Sequence, residues 1–124
     1  MIFDAEIRDY VIYFFLQDLR QVHYNKGGRQ VTPLENLCSR IRDLLIKRRW
    51  TIELLDKHGI KLEMMESIAI ELIKDKYIEI HSKKIKKGFV FKKTIEHYYY
   101  KITTIGLEYS KKMSHPQDPL KNMR

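Results

Sequence analysis

A single cysteine, Cys38, stands in this chain of 124 residues. No disulfide can form within it, and its thiol content gives no sign of an oxidising compartment. Long apolar runs are also missing. The stretch from Tyr10 to Leu16 follows Asp4, Glu6, Arg8 and Asp9; that is the wrong order for a signal peptide and too short for a membrane span. A cytoplasmic protein without a membrane partner is the expectation. His23, His58, His81, His97 and His115 are scattered and share no short spacing with Cys38, so no metal site is predicted. The chain has no phosphate-binding loop, dinucleotide-binding glycine pattern or nucleophile elbow. Gly27-Gly28 is a bare loop signal, and Glu63 with Glu66 is a pairing common on exposed helices. Neither an enzyme nor a cofactor is predicted.

What is present is a globular composition, with 44% hydrophobic residues and a net charge of +8. The length suits one core with an appended element. The positive excess is uneven: residues 81–124 alone carry as much as the whole chain, the earlier segments nearly cancelling. Such a basic end seeks an anionic partner: nucleic acid, an acidic protein or a membrane surface. Abundant Lys, Ile and Tyr with scarce Asn and Gln is a composition seen in thermophile proteins.

Periodicity places the elements. A first helix is predicted from Phe3 to His23, with Ile7, Tyr10, Val11, Phe14, Phe15, Leu19 and Val22 at helical spacing. Ile12, Tyr13 and Leu16 widen its apolar surface beyond one stripe, and such a helix must be buried on more than one side. In so small a domain a second copy is expected to supply the cover, making Ile7, Tyr10, Val11, Phe14 and Phe15 a dimer interface. The alternative is a helix packed wholly inside its own domain. Asn25 to Arg29 reads as a loop. Thr32, Pro33 and Glu35 then predict a helix start, with Thr32 as N-cap and Glu35 reaching back. Leu34, Leu37, Cys38, Ile41, Leu44 and Leu45 share the buried side of that helix, which gives Cys38 a structural role.

A short helix follows from Thr51 to His58, capped by Thr51, cored by Ile52, Leu54 and Leu55 and ended by Gly59. Another runs from Leu62 to Lys74 on Leu62, Met65, Ile68, Ala69, Leu72 and Ile73. Tyr77 to Ile80 alternates as a strand does. Lys83 to Lys93 suggests a basic hairpin with Gly88 at a turn, and His97 to Ile102 is rich in strand-favouring aromatics. Thr103 or Thr104 caps a last helix, after which Pro116 and Pro119 predict a flexible tail.

Two segments resemble a known family in order and spacing. The run Leu72-Ile73-Lys74-Asp75-Lys76-Tyr77-Ile78 looks like a winged-helix recognition helix entering its first wing strand. The run Tyr100-Lys101-Ile102-Thr103-Thr104-Ile105-Gly106 resembles the Tyr-x-Leu/Ile-Thr-x-x-Gly closing signature of winged helix-turn-helix regulators, including archaeal, PadR-like and MarR-like ones. With Gly59-Ile60 at the turn, the resemblance covers residues 32–113. It implies an α+β, mainly α fold with an extra N-terminal helix, in three parts: 1–31 for dimerisation, 32–113 as the winged helix and 114–124 as the tail. It further implies a homodimeric transcription regulator, and the small size and composition suit an archaeal, viral or plasmid one. Helix 61–75 would approach the major groove of double-stranded DNA, and hairpin 82–97 would lie over phosphates or minor groove.

The expected DNA-binding residues fall in three groups. Lys83, Lys84, Lys86, Lys87, Lys92 and Lys93 would neutralise phosphates without reading sequence. Lys61, Met64, Ser67 and Lys74 lie on or beside the outward side of the third helix, where Met64 or Ile70 could touch a thymine methyl. Arg48 and Arg49 would add backbone contacts. Two alternatives stay open. Glu63, Glu66 and Glu71 oppose phosphate, so helix 61–75 could instead bind protein in a larger assembly. Non-specific chromatin or single-strand binding is the other, with Tyr98, Tyr99 and Tyr100 as a stacking platform. The lysines could also serve only to blunt an exposed strand edge.

Overall fold

The computed structural model describes residues 4–25, 32–87 and 93–121, with the hairpin between 83 and 97 given by its backbone pairing. Among them the chain is α+β and mainly helical. It runs α1 (Asp4–Asn25), β1 (Thr32–Pro33), α2 (Leu34–Lys47), α3 (Ile52–Lys57), α4 (Leu62–Lys74), β2 (Ile78–Lys87), β3 (Lys93–Ile102) and α5 (Thr104–Lys112). The strands make one antiparallel sheet in the order β1-β3-β2. No described helix is long and apolar enough to cross a membrane.

The several apolar sides of α1 are covered by the chain itself. It packs against α2, α5 and β3, and Ile7, Tyr10, Val11, Phe14 and Phe15 are each at most 4% exposed. Tyr10 meets Phe14 edge-on at 4.8 Å and lies parallel to Trp50 at 6.1 Å. The expected interface residues therefore offer no free surface to a second copy. One hydrophobic cluster joins them to α2, α4, the sheet and Leu120, so α1 is a central helix of a single core and not an appended arm.

Local chemistry sets the helix boundaries. Thr32 is not an N-cap but a strand residue: the residue before a proline favours extended backbone, and Thr32 and Pro33 pair with Tyr100 and Tyr99. Pro33 occupies the capping position of α2 with no side-chain cap bond. Glu35, expected to reach back, makes no such bond, although its charge in the first turn suits the helix dipole. Leu34, Leu37, Cys38, Ile41 and Leu45 are buried, while Leu44 is exposed. Burial pushes the Cys38 thiol pKa up, with Arg42 opposing and Glu35 adding to the shift. Thr51 caps α3 by accepting from the Leu54 amide at 3.1 Å. In α3 only Leu55 is fully buried; Ile52, expected in the core, is 57% exposed because it occupies the first turn on the solvent side.

Helices α2, α3 and α4 end in the same way. A residue with positive φ follows each cap: Arg49 (73°), Gly59 (70°) and Lys76 (65°). The next amide reaches back to the third carbonyl from the helix end: Trp50 to Leu45 at 3.0 Å, Ile60 to Leu55 at 2.9 Å, and Tyr77 to Leu72 at 2.9 Å. This is the Schellman arrangement, with its apolar residue just beyond the turn. Only one of the three uses glycine.

The strand after α4 is anchored by α5. Thr103 caps α5 by accepting from the Gly106 amide at 2.9 Å, while its hydroxyl donates to the Lys76 carbonyl at 2.7 Å. A Cβ on Gly106 would collide with the Tyr77 carbonyl and lie 2.8 Å from Ile102 Cγ1. Tyr77 and Tyr109 stack at 4.3 Å. The run from Thr103 to Gly106 is thus a clasp between α5 and the α4–β2 turn. Residues 114–121, expected to be a flexible tail, pack instead. His115 lies against Tyr13, Asp118 accepts from the Trp50 indole at 3.1 Å, and Leu120 is 2% exposed. The prolines end the helix without preventing an extended strap from docking.

Candidate nucleic-acid interface

Four residues fix the rotation of α4. Met65, Ile68, Ala69 and Leu72 are buried, and helical spacing then turns Glu63, Ser67, Ile70 and Lys74 away from the core. Ile70, the one apolar residue among these four, is 70% exposed. Ser67 and Glu71 are not free: Arg8 of α1 donates to Glu71 at 2.6 Å and to Ser67 at 3.2 Å. One of the three carboxylates that oppose phosphate is therefore partly neutralised from α1. Sequence reasoning missed Arg8, since its partner is distant in the chain. Lys61 and Lys74 are exposed at the two ends of α4. Met64 is half-buried against the core, which leaves it little surface for a base.

Beside α4, β2 and β3 form a ten-residue ladder from Ile78↔Ile102 to Lys87↔Lys93. At strand geometry this is roughly 30 Å long. Burial falls along it: Ile78 and Ile102 are enclosed, whereas Ile80 is 46% and Tyr98 50% exposed. Lys83, Lys84 and Lys86 pair in register with His97, Glu96 and Thr94, and Lys87 with Lys93. Lys92, and Gly88 with its expected turn, lie outside the described residues. Tyr98, Tyr99 and Tyr100 alternate as expected of a strand, with Tyr100 buried, so they do not form one stacking platform.

The basic residues of the α2–α3 region divide by role. Arg40 grips Asp18 of α1 with two bonds of 2.7 and 2.9 Å; the hydrogen bond to Asp18 raises its pKa. Arg42 donates to the Ile60 carbonyl at 2.6 Å and reaches Asp56, holding the turn between α3 and α4. Arg48 lies over the Phe14 ring at 5.1 Å, a packing role that competes with its expected phosphate contact. Arg49 is exposed.

Neither a family model, nor a curated protein, nor a solved structure matches this chain. Among the described residues no cluster of three His, Cys, Asp or Glu is arranged to hold a metal ion. The chain offers a long lysine-bearing ladder beside a helix whose outward ridge mixes Glu63, Ser67, Ile70 and Lys74. Such a surface can bind and position a polyanion.

Proposed function

We propose that this chain is a winged-helix protein that binds double-stranded DNA, as a transcription regulator. One observation carries the reading: a ten-residue antiparallel ladder bearing Lys83, Lys84, Lys86, Lys87 and Lys93 follows directly after α4. Lysines spaced along a hairpin neutralise phosphates, and α4 would lie against the major groove with Lys61 and Lys74 at its ends. Affinity would then come mainly from the hairpin. Direct readout would be limited, because Ser67 is engaged by Arg8 and Met64 is half-buried.

A homodimer on an inverted-repeat site remains part of this proposal, but not through Ile7, Tyr10, Val11, Phe14 and Phe15. Their surface is consumed within one chain, so two copies would join through other residues.

Fluorescence anisotropy with random duplex, matched single strand and pooled genomic fragments, across salt concentrations, tests the proposal. Tight duplex binding, a steep salt slope and enrichment of particular fragments are expected. Binding without enrichment would make the protein an architectural or general nucleic-acid binder. Absence of duplex binding at low salt would overturn the DNA reading. One observation favours a protein-docking role for α4 instead: Ile70, 70% exposed, stands among Glu63 and Glu66, which have no counter-ion among the described residues.

A further inference from the structure

Between the start of α2, the middle of α4 and the base of the hairpin lies an open pocket of about 410 Å³. Pro33, Glu35, Glu66, Ile80, Tyr98 and Tyr100 line it. In a chain of net charge +8, this pocket is acidic. Neither Glu35 nor Glu66 has a basic partner among the described residues.

Tyr100 supplies a second and independent observation. Its side chain is 9% exposed, yet its hydroxyl makes no hydrogen bond among the described residues. The only fully enclosed side-chain polar atom there without a partner is His23 Nδ1. The Tyr100 hydroxyl must therefore open onto accessible space, and the pocket is the space that Tyr100 lines. Burial raises its pKa, and the charges of Glu66 and Glu35 add to the shift, with Tyr98 contributing. The hydroxyl thus stays protonated and shares its surroundings with both carboxylates.

Two carboxylates, two phenol rings and an apolar margin from Pro33 and Ile80 are the chemistry of a site for an organic cation. The carboxylates supply charge, the ring faces attract a cation through their quadrupoles, and the hydroxyl accepts one N–H. The volume lies within the range of small-molecule pockets. We propose that this pocket binds a small organic cation carrying an ammonium or guanidinium group on a short alkyl chain. The site stands whether or not the chain binds DNA.

Backbone amide shifts of the isotope-labelled chain, titrated at fixed salt with n-butylammonium, n-butylguanidinium and neutral n-butanol, test it. Saturable shifts at Glu35, Glu66 and Tyr98 to Tyr100 are expected with at least one of the cations and not with n-butanol. Glu35→Gln with Glu66→Gln should weaken cation binding at least about tenfold while the remaining spectrum stays folded. Tyr100→Phe, which removes no intramolecular bond, provides a milder variant and should weaken binding without unfolding. Absence of saturation by about 10 mM, equal binding of n-butanol, or undiminished binding by the double variant would overturn the proposal. Tighter binding of an acetylated Gly-Lys-Gly peptide than of n-butylammonium would also overturn it, by assigning the pocket to a protein side chain.

Discussion

Trp50 donates its indole N–H to Asp118, a hydrogen bond of 3.1 Å across 68 positions of sequence. Trp50 is 2% exposed, and a buried indole without an acceptor is costly. The segment carrying Asp118 also seats Leu120 in the core. Ending the chain after Met113 should therefore lower unfolding stability by about 3 kcal/mol, the sum expected for one buried leucine and one hydrogen bond. Urea denaturation followed by Trp50 fluorescence measures it, and an unchanged midpoint would show that the strap carries no stability.

Gly106→Ala should be among the most damaging small substitutions. The added methyl meets the Tyr77 carbonyl and Ile102 together, so α5 must shift as a unit. A loss of about 2–3 kcal/mol is expected, as for overpacking elsewhere. Thermal melting by circular dichroism would reveal it, with Ser110→Ala as a comparison in the same helix.

Arg49→Gly and Lys76→Gly should each stabilise the chain by about 0.5–1 kcal/mol, since both residues hold the left-handed backbone that glycine adopts freely. Arg49→Gly separates two roles. A raised melting temperature with weaker DNA binding would identify a phosphate-binding side chain, whereas a raised temperature with unchanged binding would leave only its turn.

Lys84, Lys86 and Lys87 changed together to Ala should weaken binding to all duplexes alike. The slope of log affinity against log salt should fall by roughly 0.9 for each phosphate that is no longer neutralised. Unchanged affinity would remove the hairpin from the interface.

Phe14→Glu should unfold the chain rather than release a folded monomer. Phe14 is 4% exposed, meets Tyr10 and Tyr13 edge-on and lies beneath Arg48. A carboxylate there costs about 4 kcal/mol or more, a large share of a small domain's stability. Sedimentation and circular dichroism on one sample distinguish the outcomes, and a folded monomer would return this residue to an intermolecular surface.

Local signals were legible and distant partners were not. Thr51, Gly59 and the spacing of Met65, Ile68, Ala69 and Leu72 marked α3 and α4 because each acts within a turn or two. The ends at Arg49 and Lys76 lacked a glycine, though Trp50 and Tyr77, the apolar residues that complete those turns, stood in the sequence. The breadth of apolar surface on α1 was plain; what covers it was not, since α5, β3 and the strap come much later in the chain. Thr32 misled because Thr-Pro suits both an N-cap and a strand end, and only Tyr100 decides between them. At the candidate interface the lysines were visible by composition, but Arg8 beside Ser67 and Glu71 required the fold.

The pairing of Thr32 with Tyr100 also constrains how the protein is made. β1 has only two residues, too few to persist without β3, and α1 cannot be enclosed before β3 and α5 arrive. A growing chain on the ribosome would therefore hold the broad apolar surface of α1 uncovered until β3 and α5 have been synthesised. Folding should then be a single late event, with the nascent N-terminal half a natural client for chaperones.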